Sequence, residues 1–341
     1  MEILIRSRSI FEYSYVKLLL LYYQKKKKTV KQLRFSWLLT PDAKYKLWFR
    51  FEKHDFPRLI QALGLPSCFK CLNGLRVSTD EALHILLRRL AYPNRLSDLE
   101  DIFRRPPSEL SAIINSMLNM LYDKFQHLLT NIDHPWIDLD GFSLAIHQQG
   151  APLMNCVGFV DGTLRPMCRP GRDQRELYSG HKRIHGIKFQ SVVFPNGIIG
   201  NLRGPYPGRR HDCYMLSDTG LLPQLERMMP QYCLYGDPAY PLRSTLISPY
   251  KGAHLCPGQQ SFNTAMSTVR QCVEWEFGKT ISLFAFLDYR KNMKLYLQPV
   301  GKLYLVGVLL KNCHACIYGS QTSQYFQLQP PSLETYLYVQ V

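Results

Sequence analysis

From about residue 153 the hydrophobic pattern changes to short apolar runs, and two of these runs close on an aspartate. Residues 154–160, Met-Asn-Cys-Val-Gly-Phe-Val, have the length and β-branched content of a buried strand that ends at Asp161-Gly162. Residues 187–194 read as a second strand, Pro195-Asn196-Gly197 as a hairpin turn, and 198–202 as a third strand. A helix follows His211-Asp212 and runs to about Met228. Residues 232–235, Tyr-Cys-Leu-Tyr, form a fourth strand ending at Gly236-Asp237. The order is strand, strand, strand, helix, strand, with an acid closing the first and the fourth.

That order is the one found in a ribonuclease H-like core, an α/β fold with a mixed sheet in which the ends of the first and fourth strands lie side by side. By this analogy Asp161 and Asp237, far apart in sequence, are expected to meet. A lone aspartate at a strand end is ordinarily a turn former. Joined by Glu274 from a later helix, however, the two aspartates would supply the hard oxygen donors that Mg²⁺ or Mn²⁺ prefers. Two such ions about 3.5 to 4 Å apart can activate a water on one side of a phosphodiester and stabilise the leaving oxygen on the other, so no protein nucleophile is needed.

Five ordered blocks between residues 155 and about 280 carry a resemblance to the PIF/Harbinger DDE superfamily. Gly158-Phe159-Val160-Asp161-Gly162-Thr163 resembles its first-aspartate block, and Tyr178-Ser179-Gly180-His181-Lys182-Arg183 through Gln190-Ser191-Val192 resembles the segment that follows. Residues 204–212, with Pro-Gly and His-Asp elements, are similar to the next loop and helix start. Tyr235-Gly236-Asp237-Pro238-Ala239-Tyr240-Pro241 resembles the second-aspartate block, and Phe262-Asn263, Arg270, Val273-Glu274 and Phe277-Gly278 resemble the last helix. The interval 274 − 237 = 37 also suits the last DDE spacing. Two departures stand out: Thr163-Leu164-Arg165-Pro166 replaces the commoner Thr-His, and Lys279-Thr280-Ile281 replaces a more basic continuation.

On the last helix Met266, Val269, Val273 and Phe277 form an apolar stripe, and Arg270 and Glu274, four apart, share a flank. Glu276 lies about 200° around the helix from Glu274, so only one of the two can face the metals. Periodicity does not choose between them, whereas the family pattern picks Glu274. Asp212 competes with Asp237 for the second position, because 212 − 161 = 51 would suit a catalytic pair if the fourth strand were discounted. Its place at a helix start favours an N-cap role instead, near the metals or not.

The N-terminal third has a different period. Ser78-Thr79-Asp80-Glu81 is a helix N-cap signature followed by Leu83, Leu86, Leu87 and Leu90, and Tyr92-Pro93-Asn94 ends that helix. Ser97 is expected to cap a short segment, 98–104. Ser108 is expected to cap a third helix bearing Leu110, Ile113, Ile114, Met117 and Leu121. Three short helices with tight turns fit either a helix-turn-helix module or a plain helical bundle. The resulting division is a basic extension over 1–40, a helical helix-turn-helix-like domain over 41–135, a DDE ribonuclease H-like nuclease domain over 150–320, and a C-terminal tail over 321–341.

Forty-two Lys and Arg against 26 Asp and Glu leave a formal charge of +16, which points to a polyanionic partner. The expected DNA contacts are Arg88, Arg89, Arg95, Arg104 and Arg105 in the helical region, and Lys182, Arg183, Arg209 and Arg210 beside the acids, with Arg169, Arg172 and Arg175 nearby. The lysines at 25–28, with Lys31 and Arg34, read as a nuclear import signal, a phosphate-binding arm or a solvated charge run. No apolar run is read as approaching the roughly 20 residues of a membrane span. The ten cysteines lie singly in apolar runs, and Cys68-x-x-Cys71 and Cys313-x-x-Cys316 stand too far apart for an ordinary zinc motif.

The resemblance implies a Mg²⁺- or Mn²⁺-dependent endonuclease and transposase. It would cut DNA at terminal inverted repeats and join the ends to target DNA in the nucleus, as an oligomer on DNA and with a Myb-like accessory protein. The alternative is a domesticated DNA-binding protein. Intact acids favour the enzyme, because a binding module needs none of them.

Overall fold

The computed structural model describes residues 35–338 and the single position Leu18. The basic run at 25–34 lies outside the described residues.

The helical region comprises α1 (Asp42–Phe49), α2 (Phe56–Leu63), a hairpin of β1 (Cys68–Lys70) and β2 (Arg76–Ser78), α3 (Thr79–Ala91), α4 (Leu96–Phe103), α5 (Pro107–Phe125), α6 (His127–Thr130) and α7 (Leu139–Gln148). Ser78 caps α3 as its sequence signature requires, its hydroxyl accepting from the Glu81 amide. Ser97 and Ser108 are not caps. Helix α4 starts two residues earlier, at Leu96, with the Asp98 carboxylate accepting from the Arg95 amide, and α5 starts at Pro107, whose preset φ suits a first helical turn.

The second region runs β3 (Cys156–Pro166), α8 (Gln174–Leu177), β4 (Tyr178–Ser179), β5 (Ile184–Val193), β6 (Ile199–Pro207), α9 (Asp212–Thr219), α10 (Leu221–Met228), β7 (Cys233–Tyr235) and β8 (Leu246–Ile247). It then continues through α11 (Pro257–Arg270), α12 (Cys272–Leu283), α13 (Val300–Tyr318), α14 (Gln321–Tyr325) and α15 (Leu333–Tyr336). Strand β5 pairs antiparallel with both β3 and β6, β7 lies parallel to β3, and β8 parallel to β7. The chain is therefore mixed α/β with a mixed sheet, as a ribonuclease H-like DDE domain requires. The expected helix after residue 211 is two helices, because Gly220 takes a left-handed conformation (φ 62°) between α9 and α10.

One apolar cluster runs from Tyr45 through Leu86 and Leu118 to Phe159, Val273, Leu309 and Tyr336, so the helical region and one face of the sheet share a core. A second cluster, with Val160, Val192, Leu216 and Leu234, fills the other face beneath α9 and α10. Residues 321–337, read as a tail, fold onto this body with Leu333 and Tyr336 buried. Helix α13 also corrects the sequence reading, being long and apolar enough to cross a membrane by composition. Here it is a core helix, with Leu303, Val306, Leu310 and Cys313 all buried.

The three helices expected over 79–125 exist, but three of the five arginines expected to contact DNA from this region are turned partly or wholly inward. Arg105 is buried, pairing with both Glu81 oxygens at 2.6 and 2.9 Å and with Glu109 at 2.8 Å. Arg89 is buried over the Phe286 ring at 4.1 Å, and Arg88 is half-buried over Trp48. These arginines knit the helical region together and to its neighbour, because a guanidinium buried in a core must find acids or ring faces. Arg95 and Arg104 are exposed.

Candidate active site

Strand β3 does not end at Asp161 but continues to Pro166, pairing with β5 as far as Gly186. What ends near Asp161 is its parallel neighbour. The last partnered residues are Phe159 and Tyr235, and the two aspartates each stand two residues beyond that pair. Equal offsets in a parallel register place Asp161 and Asp237 beside each other at the mouth of the sheet. Gly236 makes the turn possible: a Cβ there would meet Tyr240 at 2.8 Å and Val160 at 3.0 Å. Asp237 then caps its own turn, its carboxylate accepting from the Ala239 amide at 2.9 Å.

A bulge between Cys156 and Gly158 resets the alternation, so that Phe159 joins the α12–α13 core and Val160 the α9–α10 core. Asp161 therefore faces the side of α11 and α12, and there the Arg270 guanidinium stands 3.2 Å from its carboxylate. Met266, Val269, Val273 and Phe277 are buried as the sequence stripe requires, which holds Arg270 and Glu274 on the flank toward Asp161. Glu274 is exposed. Glu276, the alternative ligand, points into the core and is ion-paired with Lys311, both fully buried. The Lys311 ammonium also donates to the Gly197 carbonyl at 2.8 Å. Glu276 is therefore removed as a candidate.

Asp212 is the first residue of α9, whose N-cap is His211, and its side chain makes no capping bond. Its carboxylate instead pairs with Lys188 at 3.2 Å and lies where a Gly162 side chain would be, 3.0 Å from that ideal Cβ. Gly162 faces the opposite way from Asp161, so Asp212 approaches the group from the other face of β3.

The electrostatics tie the acids together. Burial raises the Asp161 carboxyl to about 6. Arg270 and the Gly162 amide work against that rise, while the charges of Asp237 and Glu274 add to it. Asp237 is also raised, first by burial and then by Asp212, with the Ala239 amide, Arg270 and Lys251 opposing. Sequence reasoning missed the support beneath: Thr219 donates to Gln190 at 3.2 Å, and Gln190 to the Tyr240 hydroxyl at 3.2 Å, all buried. Among the described residues no three His, Cys, Asp or Glu side chains are already set to chelate one ion. The donors nevertheless suit a hard divalent cation. They are carboxylate oxygens and they repel one another, with Arg270 set against Asp161 as a balancing charge.

Lys182, Arg183, Arg209 and Arg210 are exposed just beyond the ends of β5 and β6, the same end of the sheet to which β3 runs past Asp161. Cys68 and Cys71 lie in the β1–β2 hairpin region and Cys313 and Cys316 on α13.

Residues 160–312, a span that includes all four acids, match the family described as DDE superfamily endonuclease. This agrees with the resemblance carried by the five sequence blocks. Protein ALP1-like of Arabidopsis thaliana is 23% identical over 229 residues, covering 63% of this chain and 55% of that protein. The chain thus spans about half the length of the curated relative it matches. No solved structure matches it.

Proposed function

We propose, from the premise that residues 160–312 carry a DDE superfamily endonuclease domain, that the chain hydrolyses DNA phosphodiester bonds with Mg²⁺ or Mn²⁺ held by Asp161, Asp237 and Glu274. The observation that carries this reading is the strand register. Two acids stand at equal offsets beyond the paired ends of parallel strands, and a buried helical stripe turns a third toward them.

When bound, the metal ions supply Lewis-acid stabilisation of the leaving oxygen and a more acidic water. The chain's own residues hold the acids for that purpose. Asp161 is fixed by burial and by the Gly162 amide at 2.8 Å, and Asp237 by its turn. Arg270 balances the charge on Asp161, while Lys188 keeps Asp212 engaged as a supporting acid. Lys182, Arg183, Arg209 and Arg210 offer the phosphate contacts that position a strand over the acids. Cleavage at terminal inverted repeats, strand transfer, oligomer formation on DNA, a Myb-like partner and nuclear location are proposed on the resemblance to the PIF/Harbinger superfamily alone.

A nicking assay on labelled duplex DNA tests it. Mg²⁺ or Mn²⁺ should support cleavage and excess chelator should abolish it. Full cleavage in chelator would refute the metal reading. Tight DNA binding with no cleavage in either metal would make the chain a domesticated binding protein.

A further inference from the structure

The surface around α8 carries aromatic rings, set among basic side chains, that the hydrolytic chemistry does not use. Tyr178, Tyr214 and Tyr296 are 40%, 44% and 48% exposed. Arg210 lies over the Tyr214 ring at 4.4 Å and Arg172 over Tyr296 at 4.1 Å, while Tyr178 meets His185 edge-on at 5.2 Å. Among the described residues no side-chain hydrogen bond holds the Tyr178 or Tyr214 hydroxyl.

Three ties draw these rings around one element. The Arg209 amide donates to the Glu176 carbonyl at 3.0 Å, and its guanidinium pairs with the Glu176 carboxylate, fastening the loop before α9 to α8. The Tyr296 hydroxyl donates to Asp173, the residue preceding α8. The Cys168 amide donates to the Met293 carbonyl at 2.9 Å, fixing the 293–296 segment beside the end of β3. Exposed Arg169, Arg175, Lys182 and Arg183 surround the patch, and its nearby acids, Asp173 and Glu176, are already engaged.

Cations alone suffice to hold a duplex by its phosphates. A paired base offers only its edges in the grooves, so an exposed ring face gains nothing from intact duplex. An unstacked base does offer a face, and a tyrosine with a guanidinium on one side keeps the other side free to receive it. We propose that the Tyr178–Tyr214–Tyr296 surface binds unpaired nucleotides of a DNA strand next to the acids, so that the preferred substrate carries a frayed or single-stranded end. This inference rests on DNA being the substrate, as proposed above, and specifies its form.

The test uses the full chain in chelator, so that nothing is cut. It is offered a fully paired duplex and the same duplex with a short unpaired tail containing 2-aminopurine. Wild type should bind the tailed DNA about tenfold more tightly and quench the probe. Replacing all three tyrosines by alanine should abolish both the preference and the quenching, while duplex affinity and its salt dependence stay as in wild type. The double variant Tyr178→Phe, Tyr214→Phe, which keeps the faces and removes only hydroxyls that hold no side-chain hydrogen bond, should behave as wild type, and matching thermal melts exclude misfolding. Equal binding of the two DNAs, or a preference that survives in the alanine variant, would overturn the proposal. Duplex binding with metal-dependent cleavage but without the preference would leave the nuclease reading standing. Absence of all DNA binding would overturn both.

Discussion

Replacing Asp161 by Asn should stabilise the metal-free protein above pH 6, the reverse of the usual outcome for a buried polar position. Burial, opposed by Arg270 and the Gly162 amide and reinforced by Asp237 and Glu274, lifts its carboxyl from 3.8 to about 6. A raised carboxyl holds its proton more tightly in the folded than in the unfolded chain. Its favourable contribution is therefore complete below 3.8 and is lost as pH rises through about 6. At about 1.36 kcal/mol per pH unit, the gap withholds about 3 kcal/mol of folding stability at neutral pH. Asn keeps the shape and can still accept from the Gly162 amide, but carries no charge to desolvate. The Arg270 pair is already contained in that net rise. The gain is therefore about 3 kcal/mol, or several degrees in Tm. Thermal melts in chelator should show the variant above wild type at pH 8 and level with it near pH 4, and Mn²⁺ should raise wild type but not the variant. Cleavage should fall about a thousandfold with DNA binding retained. A variant that melts below wild type at pH 8 in chelator, or that gains as much from Mn²⁺, would refute the reasoning.

Glu274→Gln should leave the melting temperature unchanged, because the side chain is exposed, while cleavage drops about a thousandfold. Glu276→Gln should do the opposite: it strands the buried Lys311 ammonium, which should cost about 3 to 5 kcal/mol by denaturant unfolding, and any residual folded protein should still cut. Arg105→Ala should cost about as much through its buried Glu81 and Glu109 partners. Arg104→Gly should be neutral or slightly stabilising, since Arg104 sits at a left-handed φ of 55°, and chemical denaturation of the two side by side decides the matter. Lys182→Ala with Arg183→Ala should weaken binding to all DNA sequences alike and flatten its salt dependence, read by titration at several ionic strengths. An unchanged slope would remove these two from the phosphate contacts.

Local chemistry was legible where it is local. The Ser78 cap, the stop after Ala91, the buried stripe of α11 and α12 and the strand positions around Asp161 and Asp237 follow from side-chain period and capping, which operate over a few residues. Boundaries failed where a partner elsewhere extends or divides an element. Strand β3 runs on to Pro166 because β5 pairs with it there, and the short hairpin of β1 and β2 has too few residues for a periodic signal. The DNA contacts expected of the helical region rested on arginines whose fate the sequence does not encode. Arg88 and Arg89 lie on α3, which carries apolar residues on several sides, and Arg105 lies in the link between α4 and α5; only the packing of α3 against α5 and of Arg89 against Phe286 turns these cations inward.

By itself the sequence determined that Asp161 and Asp237 would follow short apolar strands and that a later helical stretch would offer Arg270 with either Glu274 or Glu276, because strand and helix periods are properties of neighbouring residues. Only the tertiary structure decided between those glutamates: Lys311, 35 positions further along the chain than Glu276, neutralises it in the core and leaves Glu274 outside. Only the register of β3 against β7 set Asp161 level with Asp237, and only the bulge after Cys156 turned Asp161 toward Arg270 while Gly162 turned toward Asp212. A one-residue slip would exchange those faces, and register is fixed by pairing between distant strands, which no window along the chain contains.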